Sequence, residues 1–581
     1  MGAGFRLFYG VIKYSWHMLE LRSKQILGTV TLVAVAAVTL VVAPYTLIDP
    51  MGLPKLSVLA FFAVVALSLM VPAIKNLFGS GSRTLVILLS LFISQIILVL
   101  LFSGANIGTQ FFGVHQRHTG ALTYISLTVL LLSASLVSEK DFVKRFMGAA
   151  LIIGLLLILY GNLQYLGLEP FPYVNAYTVN APIGTFGNSD FQSAFMGMIA
   201  VLSFTMALNS EYRRHVRFGL VGMGFASIIV VYETLAKQGY LNFIAGAGVV
   251  ALLWLLMNKR KSLGIAIGGV GAVGGGLVFL GLINAGPLAS LIYKGSLSAR
   301  GYYWRAAIKM LTDHPFFGVG MDGYGEWYFR SRPADYFENG FFSATNAAHN
   351  VYLDLASGGG FPLIAIYLTI LGLVIASIVK VVKRTDGFDV YFVALVGAWV
   401  AYQTQAFVSI NQIGLAIWGW VLSGLIIGYE INTRVIETAQ LAPLKRKQQV
   451  GKGKSAVQPL SSRAVISVFA GILIGAVTAA PLYLANARFY AAIKANDLKA
   501  VESAGNQRPH DQRRMYMLAG IFRNANLDAK AIQVLKEATS EFPDSYDLWN
   551  LWLTIPTASA GDLATARAQL KRLDPFNPEL K

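Results

Sequence analysis

The sequence predicts an all-α, polytopic membrane protein of about thirteen spans, with a large external loop and a small C-terminal helical-repeat domain. Three observations predict it. Of the 581 residues, 55% are hydrophobic and only 13% charged, and mean hydropathy is +0.58, far from the balance of a soluble domain. Apolar runs long enough to cross ~30 Å of hydrocarbon recur along the chain. Lysine and arginine gather in alternate connections between those runs, the signature of cytoplasmic loops.

The thirteen runs lie at 26–48, 56–74, 84–103, 119–138, 146–167, 190–208, 216–235, 240–257, 263–283, 361–379, 390–408, 412–430 and 463–485. Residues 1–25 form a cytoplasmic N-terminal segment carrying Arg6, Lys13, Arg22 and Lys24. The first run is too long for a signal-peptide core and shows no evident cleavage site, so it is expected to be a retained helix. Membrane helices one to nine fill 26–283. Basic clusters at Lys75 and Arg83, Lys140 to Arg145, Arg213 to Arg217, Lys259 to Lys261 and Lys380 to Arg384 mark the cytoplasmic connections. The opposite connections hold little more than Lys55, Arg117 and Lys237. In the ninth run, Gly264, Gly268, Gly271 and Gly275 offer a small-residue face for close helix packing. The segment 168–189, with three prolines, is too polar to span and is expected to lie on the outer face.

Residues 284–360 form the large external loop, with six basic and six acidic residues. Helices ten to twelve occupy 361–432, and a basic cytoplasmic linker follows at 433–462. Its Lys445, Arg446, Lys447, Lys452 and Lys454 suit a tether drawn to anionic lipid. Gly453-Lys454-Ser455 lacks the upstream glycine of a phosphate-binding loop, since Gln448 stands there. Helix thirteen spans 463–485 and delivers 486–581 to the exterior. In that tail Pro509, Pro543 and Pro575 are separated by 34 and 32 residues, and the intervening helical pattern resembles the tetratricopeptide repeat. The reading is a leading helix at 487–504 and two repeats, offering a surface for a protein partner, acceptor choice or assembly. An unrelated helical cap is the bland alternative.

The net charge of +18 is scattered over cytosolic loops, not gathered on one soluble face, which argues against nucleic acid as a partner. There is no cysteine, hence no disulfide and no thiolate metal site. The outward connections show no DxD and no His/Glu cluster, so neither a metal nor another cofactor is expected.

Chemistry concentrates in two stretches of the external loop. Residues 297–328 predict a helix with Trp304, Ala307, Ile308 and Leu311 on one face and Arg300 one turn earlier, ending at His314-Pro315 before Gly318-Val319-Gly320. Residues 346–360 read NAAHNVYLDLASGGG. His349 and Asn350 there sit at the bilayer edge, where an ionisable imidazole costs desolvation. Taken singly, these residues have plainer readings. His349 reads as an interfacial histidine and Arg300 as a snorkelling one. Arg305 reads as surface and Asn350 as a helix cap. Lys237 suits an ion pair with Glu233 one turn earlier, and Arg117 an interface anchor.

Together the pattern of Arg300, Trp304, His314-Pro315, Gly318-Val319-Gly320, His349-Asn350, Leu353 and Gly360, with GTFGNSDFQ at 184–192, resembles the O-antigen ligase superfamily. That superfamily includes O-antigen polymerases and protein O-oligosaccharyltransferases. The resemblance covers roughly 20–430 in topology. It implies metal-free transfer of a glycan from undecaprenyl diphosphate to a glycan or protein acceptor, at the outer face of the bacterial cytoplasmic membrane. It implies His349 and Arg300 as catalytic residues, and Lys237, Arg117, Arg305 and Asn350 as candidates for substrate binding. Lys237 stands where the family often carries an arginine, and Gly358 where an acidic residue is usual. The competing class is a transporter or flippase of lipid-linked glycan. Internal pseudo-symmetry and charges within the spans, expected of that class, are not evident here.

Overall fold

A computed structural model describes residues 23–71, 82–171, 181–292, 296–333, 344–441 and 462–580. Most of the N-terminal segment 1–25, the middle of the segment 168–189 expected on the outer face and most of the basic linker 433–462 lie outside the described residues. The membrane helices are α1 (Ser23–Leu40), α2 (Gly52–Met70), α3 (Arg83–Phe102), α5 (Ala121–Leu136), α6 (Lys140–Tyr165), α7 (Ser189–Ala207), α8 (Arg214–Glu233), α9 (Gln238–Met257), α10 (Lys261–Leu282), α13 (Val351–Arg384), α14 (Val390–Val408), α15 (Ile413–Leu441) and α16 (Ser462–Lys494). Among the described residues, twelve of these are long and apolar enough to cross a membrane. The remaining one, α5, has 16 residues and corresponds to the run expected at 119–138. It rises ~24 Å and lies mostly buried between α2 and α15.

The core is built on α15, whose apolar stretch is wholly buried, with α7 and α14 around it. Trp418 at its centre meets Phe146 and Phe195 at ring distances of 5.7 and 5.3 Å and donates to Thr39 Oγ1 at 2.9 Å. At the rim, α10 leans on α9. Its glycine face is used at one end only: a Cβ at Gly264 would fall 2.9 Å from Leu256, whereas Gly271 and Gly275 meet open space among the described residues. Lys55, expected in an outer connection, is instead buried in α2. Its ammonium caps the carbonyls of Val38, Thr39 and Val41 at 2.9–3.0 Å, satisfying orphan acceptors at the end of α1.

Two expected boundaries move. The span at 463–485 and the helix at 487–504 are replaced by α16 running unbroken to Lys494, with the break at Asn496 (φ 53°). Asp497 then caps α17 (Leu498–Gly505) through the amides of Lys499 and Ala500. Beyond it, α18 (Gln512–Asn524) pairs with α19 (Asp528–Glu541), and α20 (Tyr546–Trp552) with α21 (Ala560–Leu573). This C-terminal domain has its own core around Leu518, Phe522, Leu535, Leu548 and Leu570. It rests on the end of the bundle that carries the large loop. Asn106 Nδ2 reaches the Glu541 carbonyl at 3.0 Å, and Ile48 N the Asn486 side chain at 3.0 Å.

Candidate active site

The large loop folds into two helices and a tight return. Helix α11 (Ser296–Asp313) buries Tyr303, Trp304, Ala306, Ala307, Met310 and Leu311, while Ile308, expected on that face, is half exposed. Helix α12 (Tyr324–Ser331) packs across it: the Tyr324 hydroxyl donates to the Tyr303 carbonyl at 2.8 Å, and the Tyr303 and Tyr328 rings meet edge to face at 5.7 Å. Between the helices, Gly318-Val319-Gly320 runs against the start of α13. Val319 N bonds Ser357 O at 2.8 Å and Gly320 N bonds Gly358 O at 3.1 Å. Gly360 (φ 75°) then breaks α13, and Phe361 N returns to Pro315 O at 2.8 Å. The two glycine runs are thus one backbone-on-backbone contact, too close for side chains.

The turn carrying His349 is fastened on several sides. Arg117, buried, donates to the Asn346 carbonyl at 2.8 Å and lies 3.3 Å from Asp322 and 3.5 Å from Asp354. Asp322 also accepts from Val114 N at 2.8 Å and Thr119 Oγ1 at 2.8 Å. Asp354 accepts from Ala348 N at 2.8 Å, and Asn350 caps α13 through Tyr352 N and Leu353 N. Held between these bonds, His349 adopts φ 54°, a left-handed conformation that costs ~1–3 kcal/mol and persists only where surroundings impose it.

The imidazole of His349 is partly buried and stacks on the Tyr303 ring at 5.4 Å. Arg300 is one turn before Tyr303 on α11, so the guanidinium and imidazole share a site. Burial, then the charges of Arg300 and Arg117, push the His349 imidazole down to about 3, so it is neutral at physiological pH. Burial likewise lowers the Arg300 guanidinium from its ordinary value, while Asp190 and Tyr303 oppose the shift. Neither the imidazole nor the Arg300 guanidinium has a hydrogen bond or ion pair among the described residues. Asp190 sits in the first turn of α7, behind its cap Asn188. The GTFGNSDFQ motif builds that turn: Gly184 and Gly187 have φ of 56° and 79°, and Gln164 Oε1 accepts from Ile183 N and Gly184 N.

The other candidates are placed differently. Arg117 is spent on Asp322 and Asp354, and Asn350 on capping. Arg305 is exposed and lies over the Tyr302 ring at 4.7 Å. Lys237 is exposed at the start of α9. The ion pair expected of it with Glu233 does not form among the described residues, because α8 ends at Glu233 and Leu235 turns left-handed (φ 58°). Asp190, Asp322, Asp354 and Tyr303 escaped the sequence reading. Asp190 and Asp354, each inside a quoted motif, carried a usable signal. No group of three or more His, Asp or Glu is arranged to hold a metal ion among the described residues.

No curated protein matches the chain. Residues 222–368, from the middle of α8 into α13, match the protein family described as O-antigen ligase. This stretch holds Lys237, Arg300, His349 and Asn350, and the likeness supports a membrane protein of the glycan ligase or transferase type.

Proposed function

We propose that this protein transfers a glycan from undecaprenyl diphosphate to an acceptor hydroxyl at the outer face of the cytoplasmic membrane, without a metal ion. One observation carries the reading. A partly buried guanidinium, Arg300, with no ion pair among the described residues, stands beside a neutral imidazole held in a strained turn, both within the stretch that matches O-antigen ligase. Fixed cations beside a bilayer suit a diphosphate, and a neutral imidazole suits a proton acceptor.

In this mechanism the acceptor oxygen attacks the anomeric carbon of the donor sugar as the bond to the diphosphate breaks. His349 takes the acceptor proton. The electron pair leaves with undecaprenyl diphosphate, whose growing charge Arg300 stabilises. A bound diphosphate would also offset the Arg300 charge that holds the imidazole down, raising its basicity when a base is required. Orientation follows the charge pattern: α11, α12, the His349 turn and the C-terminal domain lie outside, and the N-terminus inside.

Transfer in purified membranes from a defined lipid-linked donor is the test. His349→Ala should remove the ~10²–10⁴-fold typical of general base catalysis and leave donor piled up on its carrier. Arg300→Ala should raise the donor KM, and Arg300→Lys should recover little, because an ammonium lacks the guanidinium fork. Full activity in His349→Ala, or strong inhibition by a chelator, sinks the proposal. The products separate ligase, polymerase and protein glycosyltransferase.

A further inference from the structure

We infer that the C-terminal domain positions the His349 turn, acting on α12 through a buried clamp between Arg332 and Asp574. Arg332, the residue that ends α12, places Nη2 2.6 and 2.7 Å from the two carboxylate oxygens of Asp574, and both side chains are 2% exposed. Next to it, Arg330 lies 3.0 Å from Asp544, a carboxylate that Arg572 also engages at 2.9 Å. Phe329 meets Tyr546 with ring centroids 4.7 Å apart. These contacts tie α12 to α20, α21 and the turn before them.

The other face of α12 points to the site. Tyr328, fully buried, packs on Tyr303, the ring on which His349 stacks. Tyr324 bonds the Tyr303 backbone. A Cβ at Gly325 would lie 3.1 Å from Asn346 Cα, so helix and turn touch backbone to backbone. A helix of eight residues has too little internal bonding to hold its own place. Its position is dictated from both sides, and one side is the C-terminal domain.

A buried ion pair is weak evidence for stability, because desolvation offsets most of the attraction. What the Arg332–Asp574 pair supplies is register: it defines one seat for α12, and through α12 for Tyr303 and His349. These are positioning residues, and their reach matters because ~1 Å of misplacement can cost ~10²-fold in rate. The inference builds on the reading of His349 as proton acceptor, but the clamp itself can be tested apart from it.

The test uses full-length protein in membranes and two readouts: transfer from a lipid-linked donor, and the rate at which diethyl pyrocarbonate modifies the peptide containing His349. Asp574→Ala and the milder Asp574→Asn should speed modification several-fold. They should also lower transfer at saturating donor by ~10–100-fold, with donor KM nearly unchanged. The swapped pair, Arg332→Asp with Asp574→Arg, should recover most of both. Wild-type modification rates in Asp574→Ala and Asp574→Asn overturn the clamp, as does a swapped pair that inserts fully yet restores neither readout. Faster modification with unchanged transfer leaves the clamp standing and overturns the role of His349 instead.

Discussion

The His349 imidazole lies against the Tyr303 ring, centroids 5.4 Å apart and planes inclined by 29°. The contact locks a ring whose own backbone is strained at φ 54°, so the orientation of the imidazole depends on a phenol from a different helix. Tyr303→Ala removes that wall and leaves a cavity of the kind that costs about 3–5 kcal/mol for an aromatic. The expected outcome is transfer reduced at least tenfold with protein still inserted. Tyr303→Phe, which keeps the ring, should stay within a few-fold of wild type in the same assay. Equal loss in both variants would place the effect in the hydroxyl and not in the stack.

Arg117 sits between Asp322 and Asp354 at 3.3 and 3.5 Å. Burial alone would lower the guanidinium, yet the two carboxylates hold it above its ordinary value. Arg117→Met leaves both carboxylates buried without their cation, a change that typically costs about 3–5 kcal/mol. Thermal unfolding in detergent should show a large drop in Tm, partly recovered when Asp322→Asn and Asp354→Asn are added. A mere donor-binding arginine would instead change KM and leave Tm alone.

The helices of this protein were legible because apolar run length measures hydrocarbon thickness directly. Even α5, short by that measure, stood out as a run between charged connections. Helix ends were less so: α16 continues past the expected boundary because nothing stops it before Asn496 and the cap at Asp497. His349 and Arg300 could be singled out because each stood in a recognisable local pattern, and the structure brings them to one site. The roles of Asp322 and Asp354 could not, although Asp354 shares the motif of His349, since an aspartate carries no period and their partner Arg117 lies over 200 residues away from both. Tyr303 was hidden by the apolar face assigned to its neighbour Trp304. Lys237 was paired on paper with Glu233 by a helical spacing that the left-handed Leu235 interrupts.

The glycine runs offer a sharper test of the fold around the site. At Gly360 (φ 75°) a Cβ would fall 2.6 Å from the Pro315 carbonyl oxygen, and at Gly318 (φ 61°) 2.3 Å from that of Ser357. Either substitution to Ala meets both a left-handed backbone and a rigid backbone atom, so neither clash can be relieved by a side chain turning away. Gly360→Ala and Gly318→Ala should each destabilise the site by more than the ~1 kcal/mol of a simple backbone-freedom effect. Proteolysis of the loop should accelerate. Gly372→Ala, on α13 with nothing within 4 Å, is the matched control and should be silent.

Acid sensitivity separates the two catalytic candidates. His349 titrates near 6.5 when unfolded and is pushed down to about 3 in the fold, by burial first and then by Arg300 and Arg117. Between those values the unfolded turn binds a proton that the folded turn excludes, so the folded state gains stability as pH rises through that window and loses it on acidification. The free enzyme therefore keeps a neutral imidazole down to low pH, and kcat/KM should show no acid limb from His349 between about pH 5 and 8. On the proposed reading, a diphosphate bound at Arg300 would offset one cause of the depression, so the limb in kcat should lie at higher pH than the limb in kcat/KM. Arg300→Ala removes the same cause without donor, so its kcat/KM limb should move up toward 6.5. Profiles of wild type and Arg300→Ala that superimpose would mean the guanidinium does not face the imidazole during turnover.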